Sequence, residues 1–279
     1  MSVEQVNDFN VDPETKRVLS VALEKTRVSL GLGDDLADGI TAKRSIELAK
    51  AGERDPDLLC KAAVEKLRGL LYSQLFAGAK SCHLRAGDTL FAAGDSGDGC
   101  YRLERGLLKV IITSPRGEER ILAILGPGEI AGELSIIDRQ PRSASVIAVK
   151  DCELSFISQK NFEKCTKQDP DIYRYLVNVL ASRLRETGQA VAADSFLTVK
   201  ARLARALLKL AEYLGEDAGA GRVLIRHKIG QSDLAAMAGV ARENVSRALS
   251  DWKRRDLVTR SSGFYCLNDI ATFKRYVVS

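Results

Sequence analysis

The stretch DIYRYLVNVLASRLRETGQAVAADSF, Asp171–Phe196, divides the chain and decides how the rest is read. Val177, Leu180, Leu184, Thr187 and Val191 recur at alternating spacings of three and four, the spacing of a coiled-coil seam. The spacing predicts one long helix, with Pro170 at its start, where a missing N–H costs little. An apolar stripe of this kind either packs on its own domain or meets a second copy of itself, the simplest partner for such a seam. A Gly-punctuated, β-rich region precedes the helix and a basic helical region follows it. It therefore reads as the joint between two differently built halves.

Upstream, short β-like runs alternate with turn signals: Asp88–Ala92, Gly99–Leu103, Leu107–Thr113, Ile121–Leu125, Ser143–Val149 and Cys152–Ile157. Many short strands at close spacing predict an antiparallel barrel or jelly roll. Gln159–Gln168 reads as a short helix closing this region. Residues 1 to about 75 form an extension rich in Glu, Lys, Ala and Leu. Thr41–Ala51 and Asp57–Leu71 are expected to be helical, with Asp57 as a cap and Leu58, Leu59, Ala62, Ala63 and Leu67 on the apolar side of the second.

Downstream, Val199–Leu214 reads as a helix with Leu203, Ala206, Leu207 and Leu210 on one face. A Gly-rich loop, Gly215–Gly221, and a short strand, Val223–Lys228, follow. The segment Gln231–Leu249 is the most specific in the chain. A short helix carries Leu234 and Met237, Gly239 supplies a tight turn, and a second helix buries Val245, Ala248, Leu249 and Trp252. Its other face shows Arg242, Glu243, Ser246 and Arg247. Arg can bond guanine bidentately and Glu can accept from cytosine, so this face suits base reading. Lys253, Arg254 and Arg255 are placed for phosphates. Leu257–Arg260 and Phe264–Leu267 flank Ser261–Gly263 as a hairpin wing.

Charge agrees. From Thr198 onward stand fifteen Lys/Arg against eight Asp/Glu, in a chain whose net charge is only +5, so the remainder is mildly acidic. A basic C-terminal third suits a polyanion. With 279 residues, 45% hydrophobic and 28% charged, the chain has room for two domains and a large core. No apolar run approaches the roughly 20 residues needed to cross a bilayer. Met1–Asn10 lacks a secretory h-region, so a cytoplasmic location without membrane contact is expected. The six cysteines contain no C-x-x-C pair and there are two histidines, so no metal site is expected.

One segment interrupts the strand pattern: Gly128-Glu129-Ile130-Ala131-Gly132-Glu133-Leu134-Ser135-Ile136-Ile137-Asp138-Arg139-Gln140-Pro141-Arg142-Ser143-Ala144. Gly132 lets backbone approach a ligand, a helical turn after it would aim N–H groups at an anion, Arg142 adds a bidentate charge, and Glu133 can accept from sugar hydroxyls. The alternative is an ordinary loop in which Glu133 and Arg142 pair with each other or with solvent.

The run G-E-L-S-I-I-D-R-Q-P-R-S-A resembles the phosphate-binding cassette of cyclic-nucleotide-binding domains. Cassette, long helix and winged helix-turn-helix stand in the order of the CRP/FNR family of bacterial transcription regulators, over about Leu71 to Ile270. The resemblance implies that Glu133 binds the ribose 2′-hydroxyl and Arg142 the cyclic phosphate. Gly132, Ser143 and Ala144 would supply further hydrogen bonds, with Leu134 beside them, and Thr187 would reach the base. The neighbour of that Thr is often Ser in cAMP-responsive members; here it is Gly188. A hydroxyl at Ser143 fits cAMP in bacterial members yet accompanies cGMP in some eukaryotic proteins; cAMP is favoured over cGMP. The resemblance further implies that Arg242, Glu243 and Arg247 read bases. Arg-Glu-x-x-x-Arg looks like the CRP branch, with a half-site resembling TGTGA. Glu243-x-x-Ser246-Arg247 also fits the FNR branch and TTGAT. Ala241 replaces the usual Ser or Thr, at the loss of a helix cap.

The expected fold is α+β. Residues 1–72 form a helical extension, 73–170 a jelly-roll-like antiparallel β-roll sensor, 171–197 the dimerisation helix, and 198–279 a winged helix-turn-helix. Val177, Leu180, Leu184 and Val191 make the homodimer contact. The expected function is sequence-specific binding of double-stranded DNA under control of a cyclic nucleotide, with RNA polymerase as a further partner and the two reading helices roughly 34 Å apart. Two competitors remain: an FNR-like regulator that uses no cyclic nucleotide, and a nucleotide-binding protein acting through protein partners. With no nucleophile–base pair in the sequence, an enzyme is not expected.

Overall fold

The structure is a computed structural model, and it describes residues 17–22, 45, 47–49, 53–56, 58–60, 62 and 75–278. Within the two helices expected in the N-terminal extension, positions 45, 47–49, 58–60 and 62 are helical; the remainder of both spans, with Asp57, Ala63 and Leu67, lies outside the described residues.

Eight strands build the roll: β1 (Lys80–Leu84), β2 (Thr89–Phe91), β3 (Gly99–Arg105), β4 (Leu108–Thr113), β5 (Glu119–Leu125), β6 (Ile130–Ala131), β7 (Ser145–Ala148) and β8 (Cys152–Ser158). They form two antiparallel sheets, ordered β1-β8-β3-β6 and β2-β7-β4-β5. Leu103, Leu108, Leu125, Ala131, Val146, Ala148 and Leu154, drawn from both, fill the space between them. The β4–β5 pair is apolar on both faces. Its register shifts beside Val110 and skips Leu122, which sets Ile121 on the same face as Ile124 and Ile111, away from the roll interior.

The short helix α1 (Glu133–Asp138) and α2 (Gln159–Gln168) lie against the first sheet. Ser158 caps α2 by accepting from the Asn161 amide. The long helix α3 runs Asp171–Phe196, as its periodicity predicts. Ile172 and Leu176 dock it on the roll, beside Phe162 and Cys100. The seam faces outward: Val177, Leu184 and Val191 are 61%, 73% and 62% exposed, with Leu180 half-buried. So much bare apolar surface in a single stripe is what an interaction face looks like in one isolated chain.

Thr198 ends the extended link after Phe196 and caps α4 (Val199–Leu214), accepting from the Ala201 amide at 3.2 Å. Then come β9 (Gly215–Asp217), β10 (Val223–Ile225), α5 (Gln231–Ala238), α6 (Arg242–Arg254), β11 (Val258–Ser261), β12 (Phe264–Leu267) and α7 (Ile270–Val278). The strands form a third sheet, β11-β12-β10-β9. Part of the expected Gly-rich loop is therefore β9, and the strand after it stops at Ile225. Gly239 turns the chain between α5 and α6 at φ +60°. Trp252 is fully buried, edge-on to Phe273 at 5.0 Å and beside Tyr276 at 5.6 Å, both from α7.

The two halves share one core. Ile111, Ile121 and Ile124 of the roll belong to the same buried cluster as Leu203, Leu207, Leu234 and Ala238 of the effector. Polar contacts frame it. Lys109 meets Asp233 at 3.3 Å, and Asp194 near the end of α3 gathers Arg120 at 2.8 Å and Arg202 at 3.5 Å. Arg202 also donates to the Gly239 carbonyl, while Arg120 lies so close to Gly239 that a Cβ there would fall 1.3 Å from its Nη1.

Candidate functional site

The segment between β6 and β7 and one flank of α3 enclose a cavity of about 220 Å³. Gly132, Glu133, Leu134, Arg142, Ser143, Ala144 and Thr187, the seven residues assigned to a ligand from sequence, all line it.

Arg142 is fixed from three directions. It is 3% exposed; Nη1 donates to the Gly132 carbonyl, and Nη2 donates to the Gly99 carbonyl and to Asp98, each at 2.9 Å. Its guanidinium lies 4.2 Å from the centre of the Phe91 ring, within cation–π range. Its Nε, also buried, has no partner. A buried donor left unpaired costs on the order of 1–3 kcal/mol. Gly132 serves this arrangement directly: its φ is +85°, and a Cβ would stand 2.3 Å from Arg142 Nη1. The glycine makes room for the arginine, where the sequence suggested room for a ligand.

Glu133 opens α1 and is likewise 3% exposed. It does not pair with Arg142. Its partner is Arg183 on α3, which also donates to the Ile130 carbonyl. Thr187 lies one turn further along, its hydroxyl donating to the Arg183 carbonyl at 2.9 Å. Glu186 and Leu122 complete the wall beside it. Sequence reasoning placed only Thr187 of this flank. Arg183 and Glu186 precede it by four and by one, and the helical i, i+4 relation to Thr187 was the available signal for Arg183.

Outside the cavity a polar contact joins the roll to the effector. Glu129, at the entry to β6, accepts from the Gly126 amide and from the Tyr213 hydroxyl of α4, the latter at 3.2 Å. Burial pushes the Glu129 carboxyl above the usual carboxylate range, and burial also raises the Tyr213 phenol.

At the other end, α6 presents Arg242, Glu243, Ser246 and Arg247 to solvent from one face and buries Val245, Ala248 and Leu249 with the other. Arg247 donates to Asn244 at 2.5 Å. Ala241 holds the N-cap position without a side-chain bond, as its sequence predicts. Lys253 and Arg254 are exposed in the last turn, where cations suit the helix dipole. Asp251 bonds Lys200 at 2.6 Å and Arg254 at 3.3 Å; the Lys200 bond leads in holding its carboxyl below the usual range. Beside α6 the wing turns through Ser262 and Gly263, both at positive φ, the geometry of a tight primed hairpin. Among the described residues, no helix is long and apolar enough to cross a membrane.

The family model of the cyclic nucleotide-binding domain matches residues 81–169, and that of the Crp-like helix-turn-helix domain matches 201–276. The chain is 35% identical over 169 residues to a CRP-like cAMP-activated global transcriptional regulator of Mycobacterium tuberculosis, covering 61% of this chain and 75% of the relative. It is 39% identical over 164 residues to the cyclic AMP receptor protein of Thermus thermophilus, covering 58% and 72%. Among solved structures, a CRP/FNR-family transcriptional regulator, also from Thermus thermophilus, superposes with a TM-score of 0.62 at 26% identity, covering 72% of this chain and 99% of that one. A cyclic nucleotide-binding domain followed by a Crp-like helix-turn-helix, on this fold and with relatives this similar, means that the chain belongs to the CRP/FNR family of transcriptional regulators.

Proposed function

We propose that this chain is a homodimeric, sequence-specific DNA-binding regulator whose DNA-competent state is stabilised by 3′,5′-cAMP in the β-roll cavity. The observation that carries the reading is Arg142: a buried guanidinium in the cavity wall, held by two carbonyls and Asp98, with Nε unpaired. A cyclic phosphate is an anion of the right kind for that guanidinium. Glu133 would accept from the ribose 2′-hydroxyl while keeping Arg183, and Thr187 would take a hydrogen from the base. The names of the relatives favour cAMP.

Two such chains would pair through Val177, Leu180, Leu184 and Val191. Arg242, Glu243, Ser246 and Arg247 would read a TGTGA-like half-site, with Lys253 and Arg254 on the backbone. RNA polymerase is the further partner such a regulator would engage. Control requires that the nucleotide bind the DNA-competent state more tightly than the other. The hydrogen bond between Glu129 and Tyr213 is one contact through which the roll would move α4.

The test is calorimetric titration with cAMP and with cGMP, followed by DNA binding with and without the nucleotide that binds. Affinity on the order of micromolar, with DNA binding that rises in its presence, is expected. Arg142→Leu should lose both responses while remaining folded. A normal nucleotide response in Arg142→Leu would mean that the nucleotide does not bind at Arg142 in this cavity.

A further inference from the structure

The flank of α3 that faces the cavity has a hydrogen-bonding polarity of its own. Thr187 commits its one hydroxyl hydrogen to the Arg183 carbonyl at 2.9 Å, so it meets the cavity with lone pairs alone. Glu186, its neighbour in the wall, is a carboxylate that makes no hydrogen bond or ion pair with another described residue. Arg183, the cation on this flank, points its terminal nitrogens at Glu133 and at the Ile130 carbonyl. Gly188 brings no hydroxyl. Leu122 and Val110, in the same wall, have no polar side-chain atoms. This end of the cavity therefore offers two acceptors and no uncommitted donor from these side chains.

We propose that Glu186 is the residue that selects the purine, accepting one hydrogen of the adenine 6-amino group while Thr187 accepts the other. The proposal rests on the cyclic-nucleotide reading of the cavity. With Arg142 and Glu133 holding phosphate and ribose, the base is left for α3. Adenine brings two N–H donors at position 6 to two waiting acceptors. Guanine brings O6, a third acceptor, to that same position, and its own donors, N1–H and the 2-amino group, lie further along the edge, so the base would have to shift to reach the two acceptors. A site built to accept a hydrogen bond rejects an analogue that cannot donate it more strongly than an apolar pocket rejects a change of size. Glu186 also supplies an acceptor where Gly188 lacks one.

The test is competitive titration of the full-length protein with cAMP and cGMP, for the unmodified chain, Glu186→Gln and Glu186→Ala. The unmodified chain should bind cAMP at least about tenfold more tightly than cGMP. Glu186→Gln, whose amide can turn N–H₂ toward O6, should narrow that ratio about fivefold or more, chiefly by tighter cGMP. Glu186→Ala should weaken cAMP and leave cGMP nearly unchanged. The side chain is exposed on a helix, so both variants should fold, which circular dichroism will verify. A ratio unmoved in both variants, or an unmodified chain that prefers cGMP, overturns the role of Glu186 alone. Binding of neither nucleotide overturns the cavity reading along with it.

Discussion

Arginine and glutamate serve both ends of this chain, and the two ends hold them in opposite ways. In the cavity, Arg142 and Glu133 are almost wholly buried, and each is fixed by other protein groups. On α6, Arg242, Glu243 and Arg247 stand in water. The difference follows from the size of what each end would meet. A small anion in a cavity is bound well only by donors already aimed at it, because a ligand of few atoms cannot offset the ordering of long side chains. A DNA groove is large, charged and itself hydrated, so long solvated side chains reach it and the phosphates supply much of the affinity. The same substitution should therefore damage different properties at the two ends.

Arg142→Leu should show the largest effect and the mixed one. Beyond losing the nucleotide response, it leaves the Gly132 and Gly99 carbonyls without their donor and Phe91 without its cation. A destabilisation of about 2–4 kcal/mol is expected, read as a fall of several degrees in the thermal midpoint. An unchanged midpoint would break the contrast. Arg247→Ala should do the reverse: operator affinity falls about 10–100-fold, as for loss of one bidentate base contact, while the midpoint stays put. Lys253→Ala sharpens the distinction within the DNA face. It should weaken specific and nonspecific DNA alike, and lower the slope of log affinity against log salt by about one. The smallest change is a gain. Ala241→Ser restores a cap to α6 and should add about 0.5–1 kcal/mol of stability, measured by denaturant midpoint.

The sequence made the long elements legible because their periodicity is strong. The bounds of α2, α3, α4 and β12 are those the pattern predicts. It failed where an element has no pattern to show. β6 has two residues and exists only by pairing with β3; β9 is Gly-Glu-Asp, a strand only because β10 lies beside it. The strand β1 escapes the pattern because Lys80, Ser81 and His83 are polar and exposed. The seven cavity residues were legible through a resemblance, since their chemistry alone left a loop pairing open. What no local reading contains is the company they keep: Asp98 on Arg142, forty-four positions away, and Arg183 on Glu133, fifty away. Helix α7, which seals Trp252, is hidden because Phe273, Tyr276 and Val277 lie at the very end of the chain and carry no motif.

The register shift beside Leu122 has a consequence for cooperativity. By turning Ile121 outward with Ile111 and Ile124, it makes one hairpin the wall of two hydrophobic interiors at once. The roll keeps its own interior, but the effector half has none that is complete without that hairpin. Heating should melt both together in one calorimetric transition. A chain cut between Leu197 and Thr198 should yield an effector fragment that is sticky and poorly folded, for want of a surface belonging to the other half.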